Sequence, residues 1–559
     1  MSQSFPDTSA HPPRSGGRIV VDHLRAQGVT RVFAVPGESY LPVLDALYDT
    51  PEVALTVARH EGAAAMMAEA DGKLTGRPGV AFVTRGPGAA NASSGVHVAF
   101  QDSTPMVLFV GQVARSDRDR EAFQEVDYRR MYGALAKWAA EVDDPARLPE
   151  YLARAWRTAM QGRPGPVVLA LPEDMLAATA EVADAAYVAP VQAHPDPDAL
   201  SDLRARLAAA ARPLVLVGGG GWRTQTGHDI AAFAEANDLP VATTFRCQDY
   251  IDNDHPCYAG DLGIAPNPAL AERVRTSDLL LVVGARLGEM TTGGYSLVEP
   301  PQPHQSLVHV HPGAEELGRV YQPDLAIQAS SPAFAAAARA LAPLDAPAWA
   351  GAGQAAHAAY LAWQAPESVP GDLQLGEVMG WLRDRLPPEA VICNGAGNYA
   401  GFVHRYHRFR RYRTQLAPTS GSMGYGLPAA IAAKLRHPDR PVLAFAGDGC
   451  FQMTGMELAT AAQAGAAVVV VVVDNGLYGT IRMHQEKQYP GRISGTELVN
   501  PDFVALAQAC GAYSECVTHT AEAGPALERA LAADRPALVV LRLDPEAITT
   551  RQRLGDLGR

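Results

Sequence analysis

Long apolar runs are missing from this sequence, and with them the ~18–20 consecutive residues that a membrane-spanning helix requires. The six valines at 468–473 are only strand length. Cations are outnumbered: 47 Lys and Arg against 60 Asp and Glu leave a formal charge of -13. That balance argues against nucleic acid and against an anionic membrane as partner, because both need concentrated Lys and Arg. Cysteine is scarce too. Cys247, Cys257, Cys393, Cys450, Cys510 and Cys516 form neither a Cys-x-x-Cys pair nor a zinc spacing, so unpaired thiols in a reducing compartment, the cytoplasm, are expected. The opening "MSQSFPDTSAHPPRSGG" lacks the apolar stretch of a signal peptide, and residues 1–16 read as a disordered tail.

What is present is a regular alternation. Short β-branched runs such as "VTRVFAVPGE", "PMVLFVGQV", "RPLVLVGGGGW" and "PVLAFAGDG" alternate with Ala-rich helical patterns over 559 residues. This predicts an α/β protein of three domains, each a doubly wound parallel sheet covered by helices. Pro-rich and small-residue passages set the boundaries at 17–185, 195–345 and 368–548. The stretch "VGGGGW", ending at Trp222, reads as a tight structural turn, because no clear acid follows at the end of the next strand to complete a dinucleotide fingerprint.

Chemistry concentrates in "AGDGCFQMTGMELATAAQAGAAVVVVVVDNG", 446–476. Asp448 and Asn475 each follow a strand-like run, separated by about one βαβ crossover, which puts both at the carboxyl edge of one sheet, where open α/β sheets bind ligands. A run of Val suits a central strand covered on both faces. Asp and Asn supply hard oxygens suited to Mg²⁺ with phosphates and water. Gly447 and Gly449 would admit a diphosphate to the backbone, beside a helix N-terminus that favours its charge. Taken singly, Asp448 caps a helix and Asn475-Gly476 is a turn; the two together specify more.

This pairing resembles the marker of thiamine diphosphate (ThDP) enzymes, Gly-Asp-Gly followed some two dozen residues later by Asn-Asn, here with Asp474 in place of the first Asn. "VFAVPGE", "VTRGPGAAN", "FQEVD", "GRPGPVVLALPED" and "SGSMGYGLPAAIAA" occur in the order of the acetolactate synthase-like branch, over nearly the whole chain. The resemblance implies a pyrimidine-binding domain, a central helper domain and a diphosphate-binding domain. It implies Mg²⁺ held by Asp448, Asn475 and the carbonyl of Leu477, and cofactor contacts from Gly397, Asn398, Tyr399, Gly421, Met423, Gly447, Gly449, Cys450 and Gly479, Met423 propping the cofactor into a bent form. Glu61, after a strand-like run and at the head of an Ala-rich helix, takes the place of the acid that contacts the pyrimidine ring. The active site would be shared between subunits, so a homodimer is the minimum and a homotetramer is expected.

The expected reaction is decarboxylation of a 2-oxoacid and transfer of the enamine to an aldehyde or ketone. The alternatives are a simple 2-oxoacid decarboxylase, a 2-hydroxyketone or 2-hydroxyacyl lyase, and an inactive scaffold. Phe123, Gln124, Glu38, Thr480, Ile481 and His484 are candidates for the substrate pocket, with Gln124, Glu38 and His484 counted beside Glu61 among the catalytic candidates. Three positions depart from the acetolactate synthase pattern: Glu38 for Gly, Glu173 for Lys and His484 for Trp. Two carboxylates in a partly dry pocket would repel an anionic acceptor, so a neutral acceptor, rather than housekeeping acetolactate synthesis, is expected. Glu38, its pKa raised by burial, is a candidate acid or base unless it pairs with an Arg such as Arg85 or Arg246. FAD is possible but not favoured, since His309 and His311 stand where acids often contact the nucleotide.

Overall fold

A computed structural model describes residues 11–557. Three six-stranded sheets follow one another along the chain, and every pairing within them is parallel. In the first sheet the leading strand, Arg31–Ala34, lies between Ala54–Val57 and Gly79–Val83. The third sheet repeats this strand order, with Val391–Asn394 between Gln415–Leu416 and Val442–Gly447. In both, the chain reverses direction across the sheet beside the leading strand, opening a crevice at the carboxyl edge. Of the expected tail, residues 1–10 lie outside the described residues; Arg14–Ser15 pair antiparallel with Thr179–Ala180, and Gly16 opens a helix. No helix among the described residues is long and apolar enough to cross a membrane.

The valine run forms the strand Val469–Asp474, flanked by Val442–Gly447 and Ala537–Arg542. Its interior valines are completely buried, as β-branched residues on both faces of a helix-covered sheet should be. The register sets Val473 beside Gly447 and Asp474 beside Arg542. Asp448 and Asp474 therefore leave the sheet as neighbours.

The first and third domains share one apolar core. Its centre is the helix Glu61–Thr75, whose run of Ala and Gly allows close packing against Gly426–Arg436. Polar groups seal this junction: buried Glu69 accepts from Thr104 Oγ1 at 2.6 Å and from the Tyr425 hydroxyl. The central domain has separate cores. Its glycine turn is packed rather than open: a Cβ on Gly218 would overlap the Thr244 hydroxyl, one on Gly219 would overlap the Gly284 carbonyl, and the Trp222 indole N–H donates back to Gly218 O at 2.8 Å. His309 and His311 are buried, and their ring nitrogens meet the carbonyls of Ala285 and Gly313. Burial pushes His309 down to about 4.

Asp249 couples the central and third domains. Its carboxylate accepts from Thr414 N at 3.0 Å and Gln415 N at 3.2 Å, and burial pushes it up from 3.8 to about 6. In that window the native carboxyl retains a proton that the unfolded chain has lost, so stability is fully present below 3.8 and falls as pH rises toward 6, by at most about 1.4 kcal/mol per pH unit. Asp249→Asn should flatten the decline of unfolding free energy across this window in urea titrations. An unchanged slope assigns the pH dependence elsewhere.

Candidate functional site

At the carboxyl edge of the third sheet, Asp448 is buried and fully engaged. Oδ1 accepts from Gly449 N at 2.8 Å, and Oδ2 accepts from Gly476 N and from Asn500 Nδ2, both at 2.8 Å. The same Asn500 amide donates to Asp474 Oδ1 at 2.8 Å, and the other Asp474 oxygen lies 3.0 Å from Arg542. Burial raises the pKa of Asp448, and the neighbouring Asp474 adds to the rise. Asn475 Oδ1 turns back onto Leu477 N at 3.2 Å. The loop 476–478 is pinned from outside by Leu498 N donating to Gly476 O and Tyr478 N donating to Thr496 O. Two buried carboxylates bridged by one amide, with amide and carbonyl oxygens close by, form a hard-oxygen corner that fits a divalent cation and the phosphates it would carry.

The other residues expected on this side cluster round that corner. Asn398 accepts from Thr480 Oγ1 at 2.9 Å, linking the loop after Val391–Asn394 to the helix Gly479–Gln488. That helix has no buried residue; it carries Ile481, exposed for a large apolar side chain, and exposed His484. Gly421 is exposed with φ +68, and Met423 two residues on is half-buried. Cys450 faces inward, its sulfur accepting from Gly424 N at 3.1 Å, while the Tyr399 hydroxyl accepts from Gly395 N at 3.1 Å. These two side chains brace the loops from behind. The helix begun by Asp448 ends at Gln452, only five residues long.

Glu61 opens its helix at the carboxyl edge of the first sheet, where the end charge of the helix favours an anion. One oxygen accepts from Asn91 Nδ2 at 3.0 Å. Gly88 leaves room for the other, since a Cβ there would come within 3.2 Å of Oε1. The two residues before Glu61 are held from the third domain: buried Glu457 accepts from Arg59 N at 3.1 Å and His60 N at 3.0 Å. Gln124 sits at φ +66 against Gly86, and Phe123 beside it is 74% exposed. No hydrogen bond or ion pair among the described residues joins this cluster to the third-domain corner.

Glu38 corrects one expectation. Its side chain is 63% exposed and lies 3.6 Å from Arg85, so the burial expected of it is absent. Arg85 also takes Glu173 at 2.7 Å and donates from Nε to Phe123 O at 3.2 Å. The two carboxylates thus flank a guanidinium, and the repulsion expected of two uncompensated charges is reduced to that of one.

Three domain models of thiamine pyrophosphate (ThDP) enzymes match in sequence order: the N-terminal TPP binding domain over residues 14–131, the central domain over 200–338 and the C-terminal TPP binding domain over 395–541. The acetolactate synthase large subunit of Corynebacterium glutamicum is 32% identical over 551 residues, covering 95% of this chain and 87% of that protein. The acetolactate synthase isozyme 2 large subunit of Escherichia coli is 32% identical over 537 residues, 95% of this chain and 96% of that protein. The acetolactate synthase large subunit of Lactococcus lactis is 30% identical over 521 residues, 89% of this chain and 87% of that protein. The chain belongs to the acetolactate synthase-like family of ThDP-dependent enzymes.

Proposed function

We propose that this enzyme is a Mg²⁺- and ThDP-dependent carboligase that decarboxylates a 2-oxoacid and joins the remaining acyl unit to a carbonyl acceptor. The observation that carries the reading is the pair of sheet edges: buried Asp448 with half-buried Asn475 and Leu477 on one, and a half-exposed carboxylate, Glu61, on the other. Bound ThDP supplies the nucleophilic carbon and takes up the charge left when CO₂ departs. Asp448, Asn475 Oδ1 and the Leu477 carbonyl would hold Mg²⁺; the backbone from Gly447 to Cys450 and residues Gly397, Asn398, Tyr399 and Gly479 would hold the diphosphate. Glu61 would move a proton at the pyrimidine ring, Gly421 and Met423 would hold that ring, and Thr480, Ile481, His484, Phe123 and Gln124 would border the substrate. The family resemblance implies a site completed by a second copy, hence at least a homodimer, with a homotetramer as two such pairs; that no hydrogen bond or ion pair among the described residues joins the two clusters within one chain fits that reading.

In the net reaction the bond from the donor carbonyl carbon to its carboxylate breaks, releasing CO₂. A bond forms from that carbon to the acceptor carbonyl carbon, whose oxygen takes a proton. Arg85 between Glu38 and Glu173 weakens the electrostatic case for excluding an anionic acceptor, and the relatives above are all named acetolactate synthases, so pyruvate belongs in the first assay as donor and acceptor alike. Protein loaded with Mg²⁺ and ThDP is incubated with a panel of 2-oxoacids, with and without aldehydes, and CO₂ and ligated products are measured. Both are expected. CO₂ without any ligated product makes the enzyme a decarboxylase, and no consumption of any 2-oxoacid overturns the reading.

A further inference from the structure

Arg85 and Glu38 leave the two strands that border the first sheet's topological crevice, Gly79–Val83 and Arg31–Ala34. Open parallel sheets place ligands in such a crevice, yet neither residue has a part in the chemistry described above. The guanidinium is anchored on two of its three edges. Nη1 makes a charge-assisted bond of 2.7 Å to Glu173, and Nε donates to the Phe123 carbonyl at 3.2 Å. The third edge, Nη2, meets only Glu38, at 3.6 Å, beyond hydrogen-bond reach. Arg85 is only 10% exposed at its side chain while Glu38 is 63% exposed, so a largely buried cation held by two other bonds faces an exposed, hydrated anion that gives it little.

We infer that Arg85 is the receptor for the carboxylate of a 2-oxoacid acceptor, and that Glu38 is a displaceable occupant of the same edge. The inference rests on the carboligase reading above and names its acceptor. A carboxylate arriving at Nη2 makes the short charge-assisted bond that Glu38 does not make, and Glu38 swings into solvent at small cost. Arg85 is followed by Gly86, packed on Gln124, and by Gly88 in the first turn of the next helix, packed on Glu61, so a group held at Nη2 lies on the segment that runs on to the acid of the site. The donor is the wrong occupant. Its carboxylate must leave as neutral CO₂, and a cation stabilising that anion in the ground state would slow the step. The acceptor keeps its carboxylate through the reaction, so holding it orients the keto carbon without penalty.

The test uses the full-length protein with Mg²⁺ and ThDP, supplied with pyruvate alone or with pyruvate plus acetaldehyde, and the ratio of the two ligated products is measured. Arg85→Gln should lower the product made on pyruvate relative to that made on acetaldehyde by about ten- to a hundredfold, and Arg85→Lys should recover part of it. Glu38→Gln, at an exposed position that leaves the fold intact, should shift the ratio several-fold the other way and lower the KM for acceptor pyruvate. A product ratio that neither Arg85→Gln nor Glu38→Gln moves overturns the inference, as does a wild-type enzyme that ligates only acetaldehyde; in both cases the carboligase reading stands. If the wild type consumes no 2-oxoacid, that reading falls and takes the inference with it.

Discussion

Glu61→Gln lowers turnover of every accepted 2-oxoacid by about 10²–10⁴-fold, the range a positioned proton-transfer group supplies. The substitution is nearly isosteric, and Gln can still accept from Asn91. What it loses is the negative charge at the ring nitrogen and the capacity to relay a proton. ThDP affinity should change far less, because the oxygen corner that would hold the diphosphate lies on another sheet. Thermal stability should fall slightly, by about 0.3–1 kcal/mol, since an anion has been removed from a helix N-terminus. Steady-state kinetics, calorimetric titration of ThDP with Mg²⁺ and a melting curve on one preparation separate the three effects. Unchanged turnover with intact cofactor uptake would remove Glu61 from the chemistry.

The parts of this molecule legible in its sequence are those written locally. A run of valine names a central strand, the alternation of such runs with Ala-rich segments names the parallel sheets, and two polar strand ends one crossover apart name a shared edge. Contacts closed by the fold are not written locally. Asn500, which ties Asp448 to Asp474, lies 52 positions from the first and 26 from the second, in a segment with only an Asn-Pro turn to mark it. Glu457 reads as one more residue of an Ala-rich helix, and its partner Arg59 is 398 positions away. Arg85 is one of two partners the sequence offers Glu38; that the same guanidinium also takes Glu173, so that one cation serves two carboxylates, is visible only in the fold. At the glycine turn 218–221 the missing acid is legible in the sequence, whereas the packing against Thr244, Gly284 and Trp222 is visible only in the fold.

Asp448→Asn is expected to abolish cofactor uptake while leaving the cofactor-free protein as stable as before or more so. Both effects come from one carboxylate. Without a cation, Asp448 is a buried anion beside a second buried anion, and its raised pKa means that ionisation at neutral pH costs the native state free energy. An Asn side chain removes that cost and keeps an acceptor for Gly476 N and Asn500, while the bond from Gly449 N is lost, which offsets part of the gain. With Mg²⁺ and ThDP present the balance reverses. The wild type should gain melting temperature as both are titrated in, because a ligand that binds only the native state stabilises it by mass action, whereas Asp448→Asn should show no gain. Asn500→Ala, which withdraws the shared amide without touching the expected ligands, should fall between, with Mg²⁺ affinity weakened by about 10–100-fold. In the loaded state the wild type should therefore stand above Asn500→Ala and Asn500→Ala above Asp448→Asn, whereas in the free state Asp448→Asn is at least level with the wild type. A melting temperature for Asp448→Asn that rises with Mg²⁺ and ThDP as far as the wild type's would mean that the cofactor is anchored somewhere other than the tips of these two strands.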